Sequence, residues 1–152
     1  MTTDRGNMGK KTEAAVLDWL TARSNADAGF ARHRLPDSRA ARGAISAQPA
    51  DMLVAWRGVG AYLVEAKETA EMRRLPKAKI GQYGMLHLFE MAGMHTLVVI
   101  YMSSTAQWTY LDASDLFRYE VCPASFPMNR PKYDSADEVL SYLLGPIDRS
   151  SW

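Results

Sequence analysis

Three residues of this 152-residue chain stand where metal-assisted chemistry could be done: Asp51, Glu65 and Lys67. Asp51 closes Pro49-Ala50-Asp51 and opens a strand, and Glu65-Ala66-Lys67 lies on the strand that follows. Side chains of a strand alternate faces with period two, so Glu65 and Lys67 project from the same face. A hairpin between the two strands brings Asp51 close to them. Two carboxylates converging on one point repel unless a positive charge sits between them. A hard divalent cation with oxygen ligands answers that need. Mg²⁺ commonly takes one or two carboxylates together with waters and substrate phosphate, and such an ion neutralises charge on a phosphoryl centre. Lys67 adds a fixed positive charge where an attacked phosphate becomes more negative. On spacing alone, Glu65 and Lys67 also suit an ordinary exposed ion pair.

The elements needed to position these residues can be read from periodicity and turn chemistry. Gly9–Arg23 reads as a first helix, with Val16, Leu17 and Leu20 at helical spacing. Gly29–Leu35 reads as a short strand ending at Pro36. Asp51–Trp56 and Ala61–Lys67 form a hairpin across Arg57-Gly58-Val59-Gly60. Glu68–Pro76 reads as a charged loop and Lys77–Ala92 as a second helix ended by Gly93. His95–Met102 is apolar enough for a strand covered on both faces. Gln107–Leu111 is a further strand, Asp112–Phe117 a helical turn, and residues 120–133, with Pro123, Pro127 and Pro131, an irregular segment. Ser135–Leu144 closes as a helix with Ser135 and Glu138 as a capping box. The order α-β-β-β-α-β-β-α predicts a mixed central sheet flanked by helices. Met85, Met91, Met94 and Trp19 are expected in the core.

Two polar residues interrupt the helical stripes. Glu13 lies on the apolar face carrying Val16, Leu17 and Leu20, and Gln82 shares a face with Met85, Leu86 and Phe89. An acid on such a face is costly without a cation or donor. Either one alone also suits a half-buried residue at the stripe's edge. Both flank the Asp51/Glu65/Lys67 hairpin, which favours a shared polar centre.

With Glu13 on a preceding helix, Asp51 and Glu65-x-Lys67 resemble the PD-(D/E)xK nuclease superfamily. Glu65-Ala66-Lys67-Glu68-Thr69, then Leu75-Pro76 and a helix bearing Gln82, is similar to RecU-type Holliday junction resolvases. Arg5-Gly6, Gly9-Lys10-Lys11-Thr12-Glu13, the strand 95–102, Tyr110-Leu111 and Leu116 extend the resemblance over residues 5–118. It implies an α/β, restriction-endonuclease-like core in a single domain over residues 1–152. It also implies a Mg²⁺-dependent endonuclease, with Mn²⁺ able to substitute, that nicks four-way DNA junctions in pairs as a homodimer. Carried over residue by residue, Asp51, Glu65 and the Ala66 carbonyl would hold the metal. Lys67 would position water or stabilise the pentavalent phosphate. Glu13 would hold a water on the metal or a second metal, and Gln82 would orient Lys67 or the scissile phosphate. The sequence departs from the family pattern at Pro49, where a Thr is usual, and in a shorter spacing from Leu75-Pro76 to Gln82. It is also shorter than typical cellular members, as a compact or phage-encoded version would be.

Arg32, Arg34, Arg39 and Arg42 surround a basic loop at 36–49, which in RecU-like proteins is a stalk entering the junction centre; taken by itself it also suits a solvated loop. Arg5, Lys10 and Lys11 precede it in the chain, and Arg73, Arg74, Lys77 and Lys79 form a second cluster. All are candidates for backbone phosphate. Neither cluster has the aromatic interleaving of a single-strand stacking platform. Residues 1–80 hold 14 basic and 9 acidic side chains, and residues 81–152 hold 4 and 8, so a net charge of +1 hides a basic half. One cysteine, Cys122, and three scattered histidines argue against disulfides and zinc. The absence of a signal peptide or a long apolar run leads to an expected cytoplasmic location, in a bacterium or a phage-infected cell. Two rival readings remain open at this stage: a flap, nick or restriction nuclease of the same superfamily, and a non-catalytic DNA-binding recombination factor on the same fold.

Overall fold

The computed structural model describes residues 5–36 and 48–150, with the side chains of residues 5–8 excluded. Five strands form one mixed sheet in the order β1 (Phe30–Arg34), β2 (Met52–Trp56), β3 (Gly60–Thr69), β5 (His95–Met102), β6 (Gln107–Asp112). The central pair β3 and β5 is parallel, and the other neighbours are antiparallel. A parallel pair needs a crossover. Here it runs through β4 (Arg74–Pro76), a single 3₁₀ turn (Lys77–Lys79) and α2 (Tyr83–Met91). This is the mixed sheet with flanking helices that the patterning predicts.

Two apolar cores lie on opposite faces of the sheet. On the first, α1 (Arg5–Ala26) and α4 (Ala136–Leu144) press Val16, Leu20, Val139, Leu140 and Leu144 onto Met52, Val54, Val64 and Val99. The Trp19 indole N–H donates to Asp137 at 2.9 Å, tying the two helices together. On the second face, Leu63, Val98, Ile100 and Leu111 meet Leu86 of α2, Leu116 of α3 (Ala113–Leu116) and Phe126. The strand alternation therefore puts Val64 and Ala66 on the first face and leaves Glu65 and Lys67 on the second.

Several expectations need correction. The first helix is longer at both ends than Gly9–Arg23. Residues 120–133 are not wholly irregular: β7 (Ser125–Pro127) pairs with β4 inside the expected charged loop, and Leu75 and Phe126 bury fully between them. Proline is tolerated there because this ribbon has two strands, both at an edge. The second helix starts at Tyr83 rather than Lys77, because Ile80 N–H closes a tight turn on the Lys77 carbonyl. A helix of nine residues turns only Leu86 fully inward, so Met91 is 71% exposed and Phe89 39%, contrary to a core stripe. The final cap forms differently too. Ser135 accepts from Glu138 N–H, but the Glu138 carboxylate accepts from Asp134 N–H, one residue before the expected partner. Among the described residues no helix is long and apolar enough to cross a membrane.

Candidate active site

The β2–β3 hairpin pairs Met52 with Val64. One step further brings Asp51 level with Glu65, and opposed residues of an antiparallel pair share a face. The Asp51 carboxylate is fixed by the Ala66 N–H, which donates to Oδ2 at 2.9 Å. Glu65 is only 5% exposed. Burial pushes its carboxyl up to about 8, and the neighbouring charge of Asp51 adds to the rise. The Lys67 ammonium opposes it, while a hydrogen bond with Asp51 and the charge of Glu13 push it further up. Lys67 Nζ stands 3.9 Å from Glu65 Oε1. At neutral pH Glu65 therefore favours its protonated form, because burial and the neighbouring acid both penalise its charge.

Asp51 and Lys67 stand at a cleft of about 710 Å³, with Glu65 buried beside them. Asp51, Ala66 and Lys67 line it from the hairpin, Gly9, Lys10 and Glu13 from α1, and Lys79 from the 3₁₀ turn. The donor chemistry fits a hard divalent ion: two carboxylates in contact beside a strand backbone at Ala66. Among the described residues no three His, Cys, Asp or Glu side chains converge closely enough to hold a metal by themselves. Glu13 lines the cleft but is turned to Arg34, whose Nε donates to its Oε1 at 3.1 Å. Its charge is thus met by a cation of β1, which explains how an acid persists on the α1 stripe.

The remaining candidates separate. Gln82 precedes α2 as its N-cap residue, half-buried and without a side-chain cap bond, and it is not among the residues lining the cleft. Of the second basic cluster only Lys79 lines it. Arg74 donates to the Ser125 hydroxyl at 2.7 Å and carbonyl at 2.9 Å, and Lys77 lies 5.1 Å over the Tyr83 ring. Arg73 is exposed, as are Lys11, Arg32 and Arg34. The side chain of Arg5, and Arg39 and Arg42 with most of the 36–49 loop, lie outside the described residues. Four polar side chains of the cleft were not among the candidate site residues: Glu68, Thr69, Glu71 and Ser103. Glu68-Thr69 following Glu-x-Lys was an available signal. Nothing in the sequence joins Ser103 to it.

No family model and no curated protein matches the chain. Among solved structures it is similar to the 1.6 Å structure of Hjc, a Holliday junction resolvase from the archaeal hyperthermophile Archaeoglobus fulgidus. The identity is 22% over 78% of this chain and 86% of that chain, with a TM-score of 0.48.

Proposed function

We propose that this chain is a divalent-metal-dependent DNA endonuclease that resolves four-way (Holliday) junctions by paired phosphodiester hydrolysis, working as a homodimer. One observation carries the nuclease reading: Asp51 and Lys67 line one cleft, and between them Glu65 is buried, in contact with the Asp51 acid and 3.9 Å from the lysine. A binding module has no need of an acid held at such electrostatic cost. Asp51, Glu65 and the Ala66 carbonyl are the residues that would hold Mg²⁺. When bound, the ion offsets charge on the phosphate and makes a water more acidic.

The chain's own groups supply the rest. Lys67 places an ammonium where negative charge develops on the phosphate, and partial burial strengthens its effect. Lys10 and Lys79 line the cleft as contacts for DNA backbone. Glu13, neutralised by Arg34, holds a hydrogen-bonding acceptor on the α1 side without adding an uncompensated charge. Gln82 would act only if substrate binding drew it toward Lys67. The resemblance to RecU-type resolvases supplies the substrate: branched duplex DNA, cut at two symmetry-related sites by two copies of the chain.

The test is cleavage of synthetic four-way, three-way, flap and linear DNA, with Mg²⁺ and with chelator, by the wild type and Asp51→Asn. Paired symmetric nicks in the four-way junction are expected, abolished by the chelator and reduced at least about 100-fold by the substitution. Preference for flap or linear DNA would replace the junction assignment with another nuclease specificity. Binding without cleavage, unchanged in Asp51→Asn, would leave a DNA-binding factor.

A further inference from the structure

Three acids border the centre described above, and one of them already has a partner. Glu13 lines the cleft with Asp51, and its negative charge is felt at Glu65. Carboxylates facing one space repel unless cations separate them. Glu13 is met by Arg34, whose Nε donates to its Oε1 at 3.1 Å. Among the described residues no third acid converges with Asp51 and Glu65 closely enough to complete a set of three ligands.

The backbone on both sides of the Arg34–Glu13 contact is fixed. Arg34 opposes Met52 across β1 and β2, so both project to the face that α1 covers, where Met52 is fully buried. The next residue, Leu35, donates its N–H to the Asp51 carbonyl at 2.8 Å. The strand that presents Arg34 is thus bonded to the residue that presents a carboxylate to the cleft. On α1, Thr12 and Val16 flank Glu13 and are 4% and 0% exposed. Rearrangement is therefore left to the two side chains. The Arg34 side chain is 56% exposed and that of Glu13 26%, and an ion pair this open is a weak latch. A competing charge can break it without unfolding the elements that carry it.

We infer that Arg34 is a positioning residue: it holds the Glu13 carboxylate toward β1 and so leaves Asp51 and Glu65 as the two carboxylates open to a divalent ion. Released from Arg34, Glu13 becomes a third oxygen donor at the same cleft, and added carboxylate charge strengthens the binding of a hard cation. This inference rests on the reading of Asp51 and Glu65 as the residues that would hold the ion. It places Arg34 in the service of that site rather than of DNA phosphate.

The experiment measures Mn²⁺ binding to the DNA-free protein from the EPR signal of the free ion. The proteins are the wild type, Arg34→Gln, Glu13→Gln, the double variant and Asp51→Asn. Arg34→Gln is expected to tighten Mn²⁺ binding about twofold to fivefold, the weight of an exposed ion pair. A merely structural ion pair would lower stability without tightening the ion. The double variant is expected to bind as Glu13→Gln does, because the gain comes through Glu13. Weaker or unchanged binding in Arg34→Gln overturns the inference alone. So does the same gain in the Glu13→Gln background, which would assign the effect to the lost positive charge and not to Glu13. Binding by Asp51→Asn at wild-type affinity, or none by the wild type, overturns the functional reading and this inference with it.

Discussion

Glu65 pairs burial with a neighbouring acid, and the consequence reaches the stability of the fold. Without a divalent ion the folded protein keeps a proton on Glu65 up to about pH 8, whereas the unfolded chain releases it near 4.5. The folded state then binds more protons than the unfolded state in that window, so stability falls as pH rises through it. In chelator, the unfolding free energy of the wild type should drop between pH 5 and 8 by on the order of 3 kcal/mol more than that of Glu65→Gln. Saturating Mg²⁺ should flatten the wild-type curve and leave the variant's slope unchanged. Urea titrations across that range measure the difference; parallel slopes in chelator would remove the raised Glu65 pKa from the account. At this scale the sequence is informative, since a strand's alternation dictates that Glu65 and Lys67 share a face. It could not show that Glu13 is occupied by Arg34, because 21 residues separate them.

At the scale of elements, one side chain fastens the end of α1. Arg23 is 5% exposed, with its guanidinium 4.5 Å from the Phe30 ring centroid and 5.3 Å from that of Trp56. It also donates to Asp27 at 2.8 Å and to the Gly145 carbonyl at 3.3 Å. One residue therefore holds α1, β1, β2 and the C-cap of α4. Gly145 adopts φ +80°, and an added Cβ would meet the Trp56 ring at 3.2 Å, so only glycine fits beside this clamp. Arg23→Ala should cost about 2–3 kcal/mol through lost packing and cation–π contact. Arg23→Met, which keeps most of the stem, should cost less than half as much by urea denaturation. Equal losses would mean that charge, not packing, holds the junction. Sequence periodicity reads Arg23 only as the end of the first helix and gives no hint of its aromatic cage.

At the scale of the whole molecule, charge is distributed rather than balanced, with the basic excess in residues 1–80. Much of the described part of that excess is engaged: Arg23 within the core, Arg34 by Glu13, Arg74 by Ser125 and Lys77 by Tyr83. Lys10 and Lys79 line the cleft, and Arg39 and Arg42, expected in a basic loop at 36–49, lie outside the described residues. If that loop contacts backbone phosphate, each contact adds about −0.9 to the log–log salt slope of duplex binding. Arg39→Ala combined with Arg42→Ala should therefore reduce the slope of junction binding by about 2, read from anisotropy titrations at several salt concentrations. An unchanged slope would take the loop out of the interface.

The local chemistry was legible in the linear chain: strands with alternating faces, a Gly-containing hairpin turn, and an acid and a lysine two residues apart. These depend on neighbours in sequence, which is why the mixed sheet and the Asp51/Glu65/Lys67 hairpin could be placed. Tertiary structure decided the rest. It paired the Pro-rich 125–127 with 74–76, ended the second helix's reach short of Gln82, and turned Arg74 and Lys77 away from the cleft. It also joined Ser103 and Ser104 to the turn that carries Glu71. The strand pairing, the Arg74–Ser125 contact and the Ser103 and Ser104 bonds share one physical reason. Each depends on which distant segments meet, and residue spacing along the chain carries no record of that contact; the later start of α2 turns on the local Ile80–Lys77 bond instead.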